Sequence, residues 1–261
     1  MIILLHSSKT MRPPAIGVEP SGSPVLLDRA AELVAYLRTF SVEQLVQVMA
    51  ISAELAAKTQ QQYAEWSPSA QRQTPAATTF VGDIYSGLRV DTFTAADRRY
   101  ADTHLRILSG LYGLLRPFDR ISPYRLEMGY RLSPGGHANL YRFWGSSIAE
   151  RLPADGRIVN LAANEYSRAV LPYLDADRVV TPKFLTLDPV SGQPKFVVVH
   201  AKIARGAFAR WLVTGRVADE VAELGTFRDI GYRYDDTLST PGEPTFVCEE
   251  FGGKGLSVRL A

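Results

Sequence analysis

The sequence predicts an α+β fold in which helices surround one mixed β-sheet, and we expect a single compact domain over residues 1–261. Strand-like apolar runs occur at the start, in the middle and near the end of the chain, at residues 2–5, 158–162 and 246–251. Amphipathic helical patterns lie between these runs. Because no internal repeat, low-complexity tract or evident linker separates them, one sheet with helices around it is the simplest interpretation.

Helices are predicted where apolar residues recur at helical spacing, and the clearest of them begin at capping residues. Ser41 followed by Gln44 forms a capping box, and Thr94 followed by Asp97 has the same spacing. The predicted helices begin at or run over the following positions: 26–39, Ser41, Ser52, Thr94, 139–152, 164–173 and 204–213.

A β-hairpin is predicted in the second half of the chain. Residues 178–187 and residues 195–201 both have strand-like composition, and the turn-forming residues 188–192 lie between them. This interpretation places the start of the following helix near Ala204.

The bulk composition is that of an ordinary globular protein, with a net charge of only +2. The lone cysteine, Cys248, excludes an internal disulfide and a cysteine-built metal site. The apolar run at the start is too short for a signal peptide, and no stretch is long and apolar enough for a transmembrane helix. We therefore expect a cytoplasmic protein without a membrane partner, and a monomer, although nothing in the sequence determines the oligomeric state.

Arginine and lysine are concentrated in two segments, residues 98–142 and residues 202–210. A near-neutral protein with cations gathered in this way is a candidate for a local anion site. The alternative is a set of solvated helix faces, which explains most runs of charge. The segment Ser8-Lys9-Thr10 adds a third candidate, because hydroxyl groups beside a lysine at a strand end suit a bound anion. A plain polar turn explains the same residues.

The segment 103–129 resembles a helix-hairpin-helix motif, which binds DNA without reading its sequence. We expect a helix to end at Ser109-Gly110 and a tight turn to follow up to Gly113, since glycines allow the backbone to approach a phosphate closely. Arg106 and Arg116 flank this turn and could bind phosphate. An ordinary corner between two helices is the alternative.

Three further pairs of residues are candidates for a cleft. Arg125 and Glu127 share one face of a predicted strand, as a structural ion pair or as a site that combines anion binding with acid–base chemistry. Lys202 and Arg205 are predicted in a first helical turn, where a cation is unfavourable unless an anion compensates. Glu165 and Tyr166 follow the strand at 158–162, although Glu165 could simply help to start its helix.

Taken in order, these segments resemble the YaaA family of peroxide-stress proteins. The most specific stretches are LRILSGLYGLLRP at 105–117 and PYRLEMG at 123–129. Further matching stretches are Ser8-Lys9-Thr10 and residues 82–88, 140–145, 160–166 and 201–206, so the resemblance covers nearly the whole chain.

The resemblance implies a compact α+β fold, a positively charged cleft and a helix-hairpin-helix-like element. It also implies DNA binding and a role in limiting oxidative damage to DNA, linked to lower free iron, but no established reaction. The cleft residues that it implies are Lys9, Thr10, Arg106, Arg116, Arg125, Glu127, Glu165, Tyr166, Lys202 and Arg205. The chain departs from the family pattern at His6-Ser7-Ser8 and at Ile203, which leaves the identity of the ligand open.

Two functional hypotheses follow. The first is a stress protein that binds DNA non-specifically through its phosphates. The second is an enzyme for a phosphorylated or nucleotide-like small molecule, with Lys9 and Lys202 activating one another and Glu127 or Glu165 as the acid–base group. The predicted phosphate-binding residues are Ser8, Lys9, Thr10, Arg106, Gly110, Gly113, Arg116, Arg125, Glu165, Tyr166, Lys202 and Arg205.

No cofactor and no metal site are predicted. The four histidines, His6, His104, His137 and His200, show no metal-ligand spacing. His6 and His200 both end predicted strands and could meet in space, but a histidine satisfied by ordinary hydrogen bonds is the better interpretation.

Overall fold

The structure is a computed structural model that describes residues 1–13, 17–70, 73–132, 139–217 and 221–256. It has the predicted mixed α+β character. The strands in chain order are β1 (Ile2–His6), β2 (Thr10–Met11), β3 (Thr74–Pro75), β4 (Phe80–Val81), β5 (Leu105–Ser109), β6 (Gly113–Leu115), β7 (Arg120–Ile121), β8 (Ile158–Asn160), β9 (Val179–Val180), β10 (Lys183–Leu187), β11 (Pro194–Lys195), β12 (Tyr232–Thr240) and β13 (Glu243–Cys248).

The helices alternate with these strands along most of the chain. In order they are α1 (Leu27–Leu37), α2 (Val42–Met49), α3 (Ala53–Glu65), α4 (Ala76–Thr79), α5 (Asp83–Leu88), α6 (Ala95–His104), α7 (Leu140–Trp144), α8 (Asn164–Ser167), α9 (Val198–Gly215) and α10 (Val221–Leu224). No helix in the described part of the chain has the length and the apolar character needed to cross a membrane.

The first sheet has five strands in the order β6-β5-β1-β8-β9. Strand β1 is fully buried and pairs in parallel with both β5 and β8. The chain therefore passes from β1 to one neighbour and later to the other, so the strand order reverses at β1. In open α/β sheets such a reversal leaves a crevice at the carboxyl ends of the strands, which here is the edge where His6 lies.

The second sheet has four strands in the order β11-β10-β13-β12. The expectation of one mixed sheet was therefore wrong. Pro182, which has no backbone N–H, separates β9 of the first sheet from β10 of the second. Helix α9 packs on the second sheet through an aromatic cluster in which Phe208 contacts Phe184 and Phe246.

Helix α9 also packs closely against α5. A Cβ atom at Gly206 would lie 1.9 Å from the carbonyl oxygen of Ile84, and one at Gly87 would lie 2.1 Å from that of Ile203. Only glycine allows the two backbones to approach this closely. This contact fixes the position of α9 relative to the start of α5.

The helix starts predicted from capping residues are confirmed. Ser41 and Gln44 form both hydrogen bonds of a capping box at the start of α2, and Thr94 and Asp97 do the same at α6. The Ser52 side chain accepts a hydrogen bond from the Leu55 backbone N–H at the start of α3.

Two predicted helices are shorter than expected. The helix over 139–152 ends as α7 at Gly145, which has a φ of 50°, and a 3₁₀ turn follows at Ala149–Arg151. The helix over 164–173 ends as α8, and Pro172 lies in a separate 3₁₀ turn at Leu171–Tyr173.

The predicted hairpin exists, since β10 and β11 pair antiparallel, but its second strand was predicted too long. Strand β11 ends at Lys195, and α9 begins at Val198 rather than near Ala204. The β-branched run at 197–199 favours a strand locally, and the packing of α9 against α5 and the second sheet overrides that preference.

The prediction of a helix-hairpin-helix element was wrong. Residues 105–115 form an antiparallel β-hairpin of β5 and β6, because the apolar run before Ser109 pairs with β1 in the first sheet. Gly113 adopts the left-handed conformation that the turn requires, with a φ of 67°. A Cβ atom at Gly110 would lie 2.4 Å from the carbonyl oxygen of Leu126. Both glycines are buried, so they serve the turn and the packing rather than a phosphate.

Candidate functional site: a cleft at the end of strand β1

A cleft of about 450 Å³ lies at the carboxyl end of β1. Its walls come from the residues after β1, the start of α5, the segment after β7, the start of α8 and one residue of α9. The lining residues are His6, Ser7, Ser8, Lys9, Thr10, Arg12, Val81, Gly82, Asp83, Ile84, Tyr85, Glu127, Ala163, Glu165, Tyr166 and Lys202. The volume is in the range of sites for small ligands.

Glu127 lies in one wall of the cleft, and both of its carboxylate oxygens have partners within the protein. Its Oε2 lies 2.6 Å from Lys9 Nζ, and its Oε1 accepts a hydrogen bond of 2.7 Å from the Tyr130 hydroxyl. The Glu127 side chain is buried, whereas that of Lys9 is 61% exposed. Burial, together with the hydrogen bond and charge of Glu127, raises the pKa of Tyr130. Both oxygens of Glu127 are therefore committed within the protein.

Glu165 is a less engaged carboxylate at the start of α8. Its Oε1 accepts a hydrogen bond of 2.9 Å from the backbone N–H of Gly129. A side chain at position 129 would place its Cβ 3.0 Å from that oxygen, so glycine permits the contact. No hydrogen bond to the second oxygen of Glu165 is made by the residues that the structure describes, and this oxygen is available to a ligand.

His6 is the last residue of β1 and is only 8% exposed. Its ring stacks on Tyr166 with the centroids 4.7 Å apart, and its Nδ1 accepts a hydrogen bond of 3.1 Å from the Ala163 backbone N–H. Burial, together with the nearby positive charges of Arg205 and Lys202, lowers the pKa of His6 to about 3. The imidazole is therefore neutral near pH 7.

Lys202 and Arg205 lie on α9, one helical turn apart. Neither side chain has a hydrogen bond or an ion pair with any residue in the described part of the chain, although both charges act on His6. Both are partly buried, and burial lowers the pKa of Arg205, which stays protonated because a guanidinium titrates far above neutral pH. Two partly buried cations beside a cleft without counter-ions are the main electrostatic feature of the site.

The sequence-based placement of Lys202 and Arg205 in a first helical turn was wrong. Because α9 begins at Val198, these residues are its fifth and eighth, and the unfavourable interaction with the helix dipole is weaker than expected. The conflict that marks the site is instead the absence of counter-ions among the described residues.

The cations of the β5–β6 hairpin are arranged differently. Arg106 donates hydrogen bonds of 2.9 Å and 2.8 Å to the carbonyl oxygens of Asp102 and Leu105. Arg116 forms an ion pair of 2.9 Å with the buried Asp119 and lies 3.9 Å from Asp102. None of these residues lines the cleft. The structure therefore places Arg106, Arg116, Gly110 and Gly113 outside the cleft that Lys9 and Lys202 line, and their role in phosphate binding stays a prediction.

The other predicted site residues come together with one exception: Arg205 does not line the cleft, although its charge acts on His6, which does. Ser8, Lys9, Thr10, Glu127, Glu165, Tyr166 and Lys202 line the cleft. Arg125 adjoins it, with Nη1 3.5 Å from the carbonyl oxygen of Lys9.

Sequence reasoning missed a chain of hydroxyl groups that begins in the wall of the cleft. Ser7 hydrogen-bonds to the hydroxyls of Tyr124 and Tyr166, and Tyr124 also contacts Ser109 at 2.7 Å. The signal was the position of Ser7 directly after a buried strand. The matching stretch at 82–88 also contained cleft residues that were not singled out, among them Asp83 and Tyr85.

The histidines do not form a shared site in the described residues. His200 lies in α9, where it stacks on Phe251 and contacts Thr186 at 3.0 Å. His104 contacts the carbonyl oxygen of Met1, and His137 lies outside the described residues. Among the described residues, no group of three or more His, Cys, Asp or Glu side chains could hold a metal ion.

These features define an α+β protein with a polar cleft at the switch point of a mainly parallel sheet. The model of a family described as peroxide stress protein YaaA matches residues 1–238, and the chain belongs to this family. The resemblance read from the sequence is thereby confirmed, and membership supports a role in peroxide stress.

Curated relatives cover almost the whole chain. A UPF0246 protein of Salinispora tropica is 58% identical over 259 residues, which is 99% of this chain and 98% of the relative. A UPF0246 protein of Paraburkholderia xenovorans is 41% identical over 95% of this chain and 97% of its own length. A UPF0246 protein of Shewanella oneidensis is 37% identical over 95% of this chain and 99% of its own length.

Proposed function

We propose that this peroxide-stress family member binds a phosphate-bearing small molecule in the cleft at the end of β1. The observation that carries the proposal is the pair Lys202 and Arg205, which have no counter-ion among the described residues and lie beside the neutral His6. A partly buried cation without a partner is costly, and a bound anion offsets that cost. This favours the second of the two hypotheses drawn from the sequence.

The size and position of the cleft support a small ligand. A volume of about 450 Å³ accommodates a molecule up to roughly the size of a nucleotide. The crevice at the carboxyl ends of parallel strands is also where sheets of this kind hold phosphorylated ligands.

The carboxylates of the cleft have different roles in this proposal. Glu127 is held by Lys9 and Tyr130, so it orients Lys9 and does not exchange protons with a ligand. Glu165 has one oxygen free of partners in the described residues, and we assign it the acid–base role for any reaction at this site. Lys9 is paired and largely exposed, so the activated amine expected from the sequence has no support at this residue.

Titration calorimetry with inorganic phosphate tests the proposal. The wild-type protein is expected to bind phosphate saturably, and Lys202→Ala is expected to weaken binding by about tenfold or more, the effect of losing one charged hydrogen bond. Arg116→Ala is the matched control, because it removes a cation that already has an acidic partner. No saturable binding to the wild type, or equal losses in both variants, would contradict the proposal.

DNA binding is the second candidate, and the exposed cations at the rim of the cleft favour it. Lys9 and Arg12 are exposed, and Arg125 adjoins Lys9. Contacts to DNA phosphates predict affinity that falls steeply with salt and tolerates any sequence. In fluorescence anisotropy with a short duplex, Arg12→Ala should weaken binding and flatten the salt dependence. DNA binding whose affinity does not depend on the salt concentration would refute this candidate. The link to free iron that the family resemblance implies stays a prediction.

A further inference from the structure

We propose that His6 is a specificity-determining residue whose Nε2–H donates a hydrogen bond to an oxygen of the anion beside Lys202 and Arg205, which selects dianionic phosphate monoesters. This proposal rests on the proposed function and adds the class of ligand. The supporting observations are the hydrogen bond to the His6 imidazole and the position of this ring in the wall of the cleft.

The hydrogen bond from Ala163 determines which nitrogen carries the proton. A backbone N–H can only donate, so His6 Nδ1 must accept, and the proton of the neutral ring is on Nε2. Nε2 has no partner among the described residues, on a side chain that is more than nine-tenths buried and lines the cleft. An unpartnered donor on a side chain that lines the cleft is available to an acceptor there, and a ligand oxygen supplies one.

The groups that face His6 keep this donor neutral. Lys202 and Arg205 approach from α9, and both oppose a positive charge on the ring. Tyr166 of α8 stacks on the ring, and the Tyr85 hydroxyl of α5 donates a hydrogen bond of 2.9 Å to the His6 carbonyl oxygen. The charges that act on His6 are therefore those of Lys202, which lines the cleft, and of Arg205, which acts from the same helix, and His6 adds one uncharged donor; the carboxylates of Asp83, Glu127 and Glu165 line the same cleft.

This combination matches a dianion with unprotonated oxygens. A phosphate monoester near pH 7 carries about two negative charges, because its second pKa is about 6. A phosphodiester, as in DNA, and a sulfate monoester each carry one negative charge, so each balances only one of the two positive charges of Lys202 and Arg205. Since the imidazole does not titrate between pH 5 and pH 8, affinity should rise with ionisation of the ligand and then level off.

Two substitutions separate the nitrogens of His6. In His6→Asn the side-chain oxygen can still accept from Ala163, but no group reaches the position of Nε2. In His6→Gln the amide N–H lies near the position of Nε2 and can still donate. With phenyl phosphate in titration calorimetry, we expect His6→Asn to lose about tenfold or more in affinity, and His6→Gln to recover most of it.

Two further measurements on the wild type are its affinity for phenyl sulfate and the dependence of its affinity for phenyl phosphate on pH. The wild type should bind phenyl phosphate more tightly than phenyl sulfate and gain affinity from pH 5 to pH 7 without a decline up to pH 8. The ¹⁵N spectrum of the wild-type imidazole should show the Nε2–H tautomer over the same range. A preference for the sulfate, an Nδ1–H tautomer or a decline in affinity above pH 6.5 would overturn the inference.

The outcomes also separate this inference from the proposed function. If Lys202→Ala loses phosphate binding and a folded His6→Asn does not, the role of His6 is refuted and the phosphate site survives. If the wild type binds neither phosphate nor phenyl phosphate, both are refuted. Should His6→Asn fail to fold, the spectrum and the comparison of the two esters on the wild type decide the question.

Discussion

The two basic segments of the chain look alike in sequence and differ in structure. In the β5–β6 hairpin, Arg106 and Arg116 are engaged by backbone oxygens and by the carboxylate of Asp119. On α9, Lys202 and Arg205 have no such partners among the described residues. Arg106 and Arg116 are therefore part of the structure, whereas Lys202 and Arg205 have charges left for a ligand; Arg210, in the same segment as the second pair, is engaged by Asp229.

The difference shows that the absence of an acidic partner identifies an anion-binding cation better than the number of cations in a segment does. An arginine that is paired with a buried carboxylate compensates that charge, and the pair has no net charge left to attract an anion. Partly buried cations without partners lower the stability, and proteins tolerate such local conflicts mainly at functional sites. Variants of Gly206, Arg116 and Lys202 test whether the two pairs of cations differ in this way.

The largest effect is expected at the glycine contact that positions α9. In Gly206→Ala the new Cβ would meet backbone atoms of α5 at 1.9 Å, so the helices must move apart. We expect a loss of about 3 kcal/mol in the free energy of unfolding, in the range of overpacked cores. Urea unfolding measures it, and phosphate binding should weaken too because Lys202 moves with the helix.

Gly215→Ala is the matched control on the same helix. A Cβ at Gly215 would lie 3.4 Å from the Val217 side chain, which is an ordinary contact. Alanine also has a better helix propensity than glycine, so this variant should be as stable as the wild type or slightly more stable. Equal destabilisation of the two variants would show that the close approach of α5 and α9 does not position the cleft.

A smaller loss of stability is expected when the ion pair next to the β5–β6 hairpin is removed. Arg116→Ala leaves the buried carboxylate of Asp119 with one backbone N–H in place of three hydrogen bonds. The free energy of unfolding should fall by about 1–2 kcal/mol, as for a buried acceptor that loses partners. The exposed Arg99→Ala should change it by less than about 0.5 kcal/mol. If Arg116→Ala is as stable as Arg99→Ala, the hairpin ion pair is not structural.

The sequence predicted the elements that local signals determine. The capping residues Ser41, Ser52 and Thr94 give helix starts that need no tertiary information, and the buried run at 2–5 forms β1. The candidate residues after strand ends, Lys9 and Glu165, do line the cleft. This succeeded because residues that follow parallel strands meet at one edge of the sheet.

The errors occurred where distant parts of the chain decide the structure. The glycines at 110 and 113 are compatible with a turn between helices or between strands, and pairing of β5 with β1 selects strands. Val198 and Val199 are helical because α9 packs on α5 through Gly206. The pairing of Arg116 with Asp119 and the lack of partners at Lys202 depend on side-chain geometry, which a single sequence does not contain.

The smallest change in the free energy of unfolding is expected for Lys202→Ala. The sign of this change is the sharpest test of whether Lys202 lacks a structural partner. Lys202 has no partner among the described residues, and Arg205 lies one turn away with the same charge. Lys202→Ala should therefore raise the free energy of unfolding by about 0.3–0.5 kcal/mol, as for removal of a like-charged pair on a helix. Lys58→Ala on α3 is the control, since Glu54 lies one turn before this lysine with the opposite charge and the substitution should give no comparable gain.

Added phosphate should reverse this order of stability. A ligand that binds the folded state stabilises it in proportion to the logarithm of its concentration over the dissociation constant. The wild type should therefore gain stability from phosphate in thermal unfolding, while Lys202→Ala gains little and becomes the less stable of the two. If Lys202→Ala is destabilised without phosphate, the lysine has a structural partner and the contrast between the two basic segments is wrong.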